Sequence, residues 1–284
     1  MGIVSRRFAL VIALVLAAGV VLLINFRSRE AGKIVTEKEV PLSAPLSHPE
    51  VPEESLPEES RARSTVVIVL DDFGYSKKNL DALKEVDASI TVAVLPNTPY
   101  AGAVCSFARE NGTEVILHLP MEPEGETPYL EEDTISCAMD EGLVKDIIAN
   151  DFRSVPAAIG VSNHMGSKAT KDAHLMELVL EDLKERDAFF LDSFTTEESV
   201  CEDIARELEV PYVRRDIFID NRSDGEYIKG QLKELERIAS VKGKALGIGH
   251  DRSLTISILK EVVPGMKERG IYFASLSEII NYRE

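Results

Sequence analysis

The stretch VVIVLDDFGYS, residues 66–76, decides the fold and poses a chemical question at the same time. Five apolar residues, most of them β-branched, run straight into two adjacent aspartates, a phenylalanine and a glycine. A short continuous apolar run closed by turn formers predicts a buried strand. Asp-Asp-Phe-Gly can be no more than the turn that ends it. Two carboxylates delivered together at a strand tip are also how enzymes hold a metal next to a base. What the other strands carry at their own tips discriminates between the two.

Working outward, similar apolar runs recur at residues 88–95, 113–119, 157–162, 188–193, 210–213, 245–250 and 271–276. Between most of them lie amphipathic helical stretches such as KDAHLMELVLEDLKERD and EYIKGQLKELERIASVKG. Strands alternating with helices predict parallel pairing and right-handed crossovers. Seven or eight such units over residues 65–284 suit one β/α barrel better than two small domains. An open doubly wound sheet is the alternative, and no GxGxxG or P-loop supports it.

The chain before this region is of another kind. Residues 8–26, FALVIALVLAAGVVLLINF, contain one polar side chain, Asn25. As a helix they would span about 28 Å, close to the hydrocarbon thickness of a bilayer. Arg6 and Arg7 precede them, which predicts a cytoplasmic N-terminus and an exported remainder. Residues 1–29 are therefore expected to be an uncleaved signal anchor in the cytoplasmic membrane, with cleaved secretion as the alternative. Residues 30–64 are rich in Pro and Glu and poor in apolar side chains, and are expected to form a disordered tether carrying His48. Residues 65–284 are the expected catalytic domain, on the extracytoplasmic side.

Composition narrows the partners. The 284 residues carry a net charge of −17, which disfavours nucleic acid and anionic membrane surfaces. There is no Trp to build an indole platform for sugars, although Tyr and Phe can stack on a ligand. Cys105, Cys137 and Cys201 are odd in number and form no CxxC, so neither a zinc knuckle nor a disulfide framework is expected. Cys105, in the apolar helical pattern AGAVCSFA, is expected to be a buried structural thiol.

In a β/α barrel the chemistry gathers at the C-terminal strand ends. Those ends carry Asp71 and Asp72, Pro96-Asn97, His118, Asn163-His164, Asp192, Arg214-Arg215 and His250. Of the five histidines in the chain, three fall there, while His174 sits on a predicted helix among charged residues. Imidazoles and a carboxylate suit zinc or a similar divalent ion, and three protein ligands leave a position open.

The strings IVLDDFGYS, TVAVLPNTPYA, EVILHLPMEP, GVSNHMGSKAT, FFLDSFTT, RRDIFIDN and GIGH, in that order, resemble the divergent polysaccharide deacetylase family. That family belongs to the NodB-homology carbohydrate deacetylases, and the likeness runs from Val66 to Ile280. The resemblance implies a distorted, NodB-like β/α barrel, one divalent metal ion, and hydrolysis of an acetyl group on a sugar. By the same resemblance Asp71 is the catalytic base, Asp72 a metal ligand and His250 the general acid. The superfamily places two metal histidines in one H-x-x-x-H segment. Here the corresponding pair is His118 and His164, 46 residues apart on different strands. Asp192 and Arg215 resemble residues that orient such groups. Asp192 also suits the N-cap region of the next helix, Asn163 suits either substrate contact or the support of its own loop, and Arg214 suits surface carboxylates. Glu122 is expected to shape its loop.

The expected function is therefore removal of acetyl groups from an envelope polysaccharide or its fragments. A carbohydrate-binding or scaffold protein of the envelope that turns over poorly is the alternative, and hydrolysis of a different amide is a third.

Overall fold

In the computed structural model residues 64–127 and 129–281 are described. The expected anchor, and all but the last residue of the tether, lie outside them. Among the described residues no helix is long and apolar enough to cross a membrane.

The chain runs β1 (Thr65–Phe73), α1 (Leu80–Leu83), β2 (Ile90–Val94), α2 (Ala101–Asn111) and β3 (Glu114–Met121). It continues through α3 (Glu141–Ser154), β4 (Ala158–Met165), α4 (Ala173–Glu185), β5 (Phe189–Asp192) and α5 (Cys201–Leu208). Two short strands follow, β6 (Tyr212–Arg214) and β7 (Ile217–Phe218). The last elements are α6 (Gly225–Lys242), β8 (Lys244–His250), α7 (Ser253–Glu268), β9 (Tyr272–Ala274) and α8 (Leu276–Asn281). The strands form one sheet in the order β6-β5-β4-β3-β2-β1-β8-β7, with β9 beside the first half of β1. All pairings between these strands are parallel. That makes nine strands among the described residues, where seven or eight were expected. The extra one is the two-residue β7, too short to show as an apolar run.

The apolar runs are continuous because both faces of the strands are covered. Val66, Ile68 and Leu70 pack outward with the helices, in one cluster with Val92, Val94, Leu117, Val161 and Phe190. Val67 and Val69 point the other way, into a second cluster with Ala93, Ile116, Phe189, Leu191, Leu246 and Ile248. Phe189 and Leu191 on β5 share that inner cluster with Leu246 and Ile248 on β8, five places away in the sheet. The sheet must therefore curl into a barrel. Leu276 and Ile280 of α8 belong to the inner cluster too. The backbone of Leu276 bonds to Thr91 at the start of β2, and that of Ser277 to Glu114 at the start of β3. Helix α8 thus closes the barrel at the N-terminal ends of its strands and leaves the other end for chemistry.

The distortion lies at one seam. The edge strands β6 and β7 share no ladder, and the two residues between them stitch the gap instead. Arg215 N–H donates to the Asp192 carbonyl at 3.1 Å on the β5 side, and Asp216 N–H to the Leu246 carbonyl at 2.9 Å on the β8 side. Cys105 and Cys201 are buried and Cys137 half-buried, all as free thiols.

Candidate active site

Strand alternation selects the residues that reach the barrel mouth. Asp71 continues the inward series Val67, Val69; His118 follows Ile116; His250 follows Leu246 and Ile248. His164 shares its parity with Ser162, the direct cross-strand partner of His118. Asp71 and His250 are themselves register partners on β1 and β8. The four residues therefore converge although they stand far apart in the chain.

Asp72 has the wrong parity, and local backbone geometry corrects it. Between Leu70 and Phe73 the β1–β2 register shifts: the step from Leu70 to Phe73 on β1 faces only Val92 to Val94 on β2. Within this bulge Asp72 takes a left-handed conformation, with φ 59°. The extra residue turns the second carboxylate toward the same side as the first. Non-glycine residues at positive φ recur around the rim at Asn97, Met165 and Phe194, beyond β2, at the end of β4 and beyond β5. Gly74, at φ 127°, completes the turn, and a Cβ there would come within 2.1 Å of Thr98 Oγ1.

The ligand atoms converge closely. Asp72 Oδ1 lies 3.0 Å from His164 Nδ1 and 3.5 Å from His118 Nε2. Asp71 Oδ2 lies 3.6 Å from His118 Nε2, and Asp71 Oδ1 3.9 Å from His250 Nε2. His118 Nδ1 and Ser162 Oγ are 2.8 Å apart. Asp71 therefore stands between a two-imidazole cluster on one side and His250 on the other.

The electrostatics divide the groups sharply. Burial pushes His118 down to about 4, so its ring is neutral at ordinary pH. In the tautomer that donates Nδ1–H to Ser162, its Nε2 presents a lone pair to the aspartates. Burial opposes ionisation of Asp72, but the facing imidazoles of His118 and His164 outweigh it and hold the carboxyl well below the usual carboxylate range. Asp71 moves the opposite way: burial, reinforced by the negative charge of Asp72, raises it well above that range. Oδ1 of each aspartate is buried without a hydrogen-bond partner. Two imidazoles and a carboxylate oxygen facing one another, with an unpartnered buried oxygen among them, fit a divalent cation. Asp72, His118 and His164 are the residues that would hold it, and their ligand atoms all lie within 4.8 Å of one another.

On the other flank, His250 Nδ1 lies 2.6 Å from Asp220 Oδ1. Burial of the ring lowers its proton affinity, but the Asp220 bond and the charges of Asp71 and Asp72 prevail and raise it to about 8. Asp220 is 0% exposed and also accepts from the His250 backbone at 3.0 Å and from Thr255 Oγ1. Sequence reasoning did not single out Asp220. Its one signal was position within the string RRDIFIDN, because the strand that aims it has only two residues.

The remaining candidates support loops. Asn163 is buried with both ends of its amide engaged: Nδ2 donates to the Met165 carbonyl and Oδ1 accepts from Ser193 N–H, each at 2.8 Å. It orients the β4 and β5 tips. Asp192 shares the outward parity of Phe190 and is buried, accepting from Phe194 N–H, Ser199 Oγ and Tyr212 Oη. It does not cap α5, whose N-cap position is Val200. Arg215 donates to the carbonyls of Ser193 and Phe194 and lies 3.7 Å from the centre of the Phe218 ring. That ring is in turn stacked on the His250 imidazole, so Arg215 backs the acid flank from behind. Arg214 faces outward, 3.8 Å from Glu202, and Glu122 accepts from Cys137 N–H and pairs with Lys168.

The family model described as divergent polysaccharide deacetylase matches residues 68–280. The uncharacterized protein YibQ of Escherichia coli K12 is 33% identical over 198 residues, which cover 70% of this chain and 62% of that protein. The chain thus spans less than two thirds of the length of that relative. An uncharacterized protein of Haemophilus influenzae is 35% identical over 209 residues, 74% of each chain. The crystal structure of uncharacterized protein ATU2773 from Agrobacterium tumefaciens superposes with a TM-score of 0.73 at 23% identity, over 76% of this chain and 89% of that one. At that identity the likeness is one of fold.

Proposed function

We propose, for a chain that belongs to the divergent polysaccharide deacetylase family, that the barrel mouth hydrolyses acetyl groups on sugars of an envelope polysaccharide or its fragments. One observation carries the reading: a three-ligand cluster and a carboxylate–imidazole pair flank the same buried aspartate, Asp71. This is the division needed for hydrolysis, with an electrophilic site, a base and an acid within reach of one bond.

A divalent ion held by Asp72, His118 and His164, zinc by the character of those donors, supplies Lewis acidity toward the acetyl carbonyl. The protein's own groups handle the protons. Asp71, whose raised proton affinity makes it a stronger base than an ordinary carboxylate, takes a proton from water as the water oxygen bonds to the acetyl carbon. His250, charged below about pH 8, gives its Nε2 proton to the sugar nitrogen or oxygen as that atom leaves the acetyl carbon. Acetate and a free amine or hydroxyl result. Asp220 keeps the imidazole oriented through Nδ1.

Release of acetate from purified envelope glycans by the full-length protein tests the reading. A protein that binds such glycans and releases none would be a carbohydrate-binding or scaffold protein instead.

Asp220→Asn tests the acid. The native carboxylate stabilises the charged imidazole, so an amide there lets burial dominate and lowers the His250 pKa. The alkaline limb of the turnover profile should move to lower pH by about one unit or more, as should the His250 ring signals in an NMR titration. An unmoved limb would assign the proton to another group. For location, the reading places the domain outside the cytoplasmic membrane. Full-length protein should stay with membranes through a high-salt wash, and a mature N-terminus beyond residue 30 would establish cleavage instead.

A further inference from the structure

Pro96-Asn97, beyond β2, is a strand tip that the cluster at the barrel mouth does not use. The Asn97 side chain is committed elsewhere. Its Nδ2 donates to Asp151 Oδ1 at 2.9 Å and to Asp133 Oδ2 at 3.3 Å. One amide group therefore draws together two carboxylates from different segments, Asp133 on the β3–α3 connection and Asp151 in the last turn of α3. The backbone N–H of Asn97 also donates to Ser154 Oγ at 2.7 Å, three residues beyond Asp151.

Asp151 is the anomaly of this group. It is 0% exposed, and its Oδ2 is buried without a hydrogen-bond partner. Burial and then the charge of Asp133 raise its proton affinity, the Asn97 bond lowers it, and the balance pushes it up to about 7. No cationic side chain among the described residues offsets these influences. The C-terminal end of a helix, itself partly negative, is also a poor place for a carboxylate. A buried oxygen in such a setting calls for a positive partner.

That partner is a proton or a cation, and two features favour the cation. A proton on Oδ2 would itself need an acceptor, and none lies within hydrogen-bonding distance. Asn97 also holds a second carboxylate beside the first. A half-turn of its amide exchanges Nδ2 for Oδ1, so that all three side chains present oxygen to the space between them. Asp133 is half-buried and Asn97 exposed, which lets water complete a coordination shell. Oxygen donors without imidazole or thiolate select a hard cation over zinc, and calcium tolerates the irregular geometry that magnesium does not.

We infer that Asn97, Asp133 and Asp151 form a binding site for one calcium ion, sharing no residue with the cluster of Asp72, His118 and His164. The ion would tie the end of α3 to the β2–α2 and β3–α3 connections. Asp133 stands two residues from Glu131, which accepts the Tyr75 hydroxyl from beyond β1, so the same ion steadies the connection that leans on the first strand tip. The inference does not depend on the deacetylase reading.

The test is calorimetric titration of zinc-loaded, full-length protein with calcium chloride, paired with melting curves. Wild type should bind one calcium per chain and melt higher with it. Asp151→Asn and Asp133→Asn should each weaken binding by about tenfold or more, with zinc content unchanged. Without calcium, Asp151→Asn should melt no lower than wild type, because the amide removes an uncompensated buried charge. Asn97→Asp separates a cation site from a merely structural hydrogen bond. A third carboxylate should tighten calcium binding several-fold and lower the melting temperature when calcium is absent. Wild type that takes up no calcium to about 10 mM, tenfold beyond the weak end of known calcium sites, overturns the inference and leaves a carboxyl held neutral by a proton only. Calcium binding that neither Asp151→Asn nor Asp133→Asn weakens overturns it too, as does a preference for magnesium.

Discussion

Asp71→Asn should retain one divalent ion per chain while its turnover falls by about 10² to 10⁴, the range for a missing general base. An amide has nearly the shape of the carboxylate but cannot accept the proton of water. Asp71 is 4% exposed and its raised proton affinity comes first from burial and then from the charge of Asp72. Removing its charge relieves that repulsion, so the variant should melt no lower than wild type. Elemental analysis, a melting curve and acetate release on the same preparation make the check. Full activity with metal in place would remove Asp71 from the chemistry. If Asp71→Asn empties the site and Asp72→Asn does not, the two roles are exchanged.

Loss of a ligand should have an effect at least as large, by a different route. His118→Ala and His164→Ala each leave two of the three ligand side chains, and Asp72→Asn removes the charged one. Each should weaken metal affinity by more than about 100-fold, since even the outer partners of metal ligands are worth 10- to 100-fold. Activity should vanish with the metal. Zinc added back should restore wild type stripped with EDTA, raising its melting temperature as it binds the folded state. It should restore none of the three variants at the same concentration. Undiminished metal in both histidine variants would put the ion elsewhere. Ser162→Ala is the milder companion. It removes the Nδ1 partner of His118, 2.8 Å away, and should cost affinity without abolishing it.

Most of the architecture was legible because it follows from short-range patterns. Continuous apolar runs separated by amphipathic stretches predicted buried parallel strands and a β/α barrel, and the sheet is parallel throughout with both faces covered. The strand tips were legible for the same reason. His118, His164 and His250 end apolar runs at the parity that points inward, and they share one rim with Asp71. Asn163 and Asp192 occupy equally good tips but the opposite parity. Their side chains are spent holding loops, as alternation along a strand dictates.

What the amino-acid order determined by itself is thus the strand pattern, the family motifs and the four inward tips, because each depends on periodicity within a few residues. Only the tertiary structure decided the rest. Asp72 joins the cluster through a bulge and a left-handed turn, and a string of letters carries no register. Asp220 reaches His250 from just beyond a two-residue strand that pairs with β8 at the edge of the open seam, 30 residues away in the chain. The roles of Arg215 and Phe218 likewise arise from chains meeting at that seam. Such contacts join segments brought together by barrel closure, and no local preference of either segment encodes them.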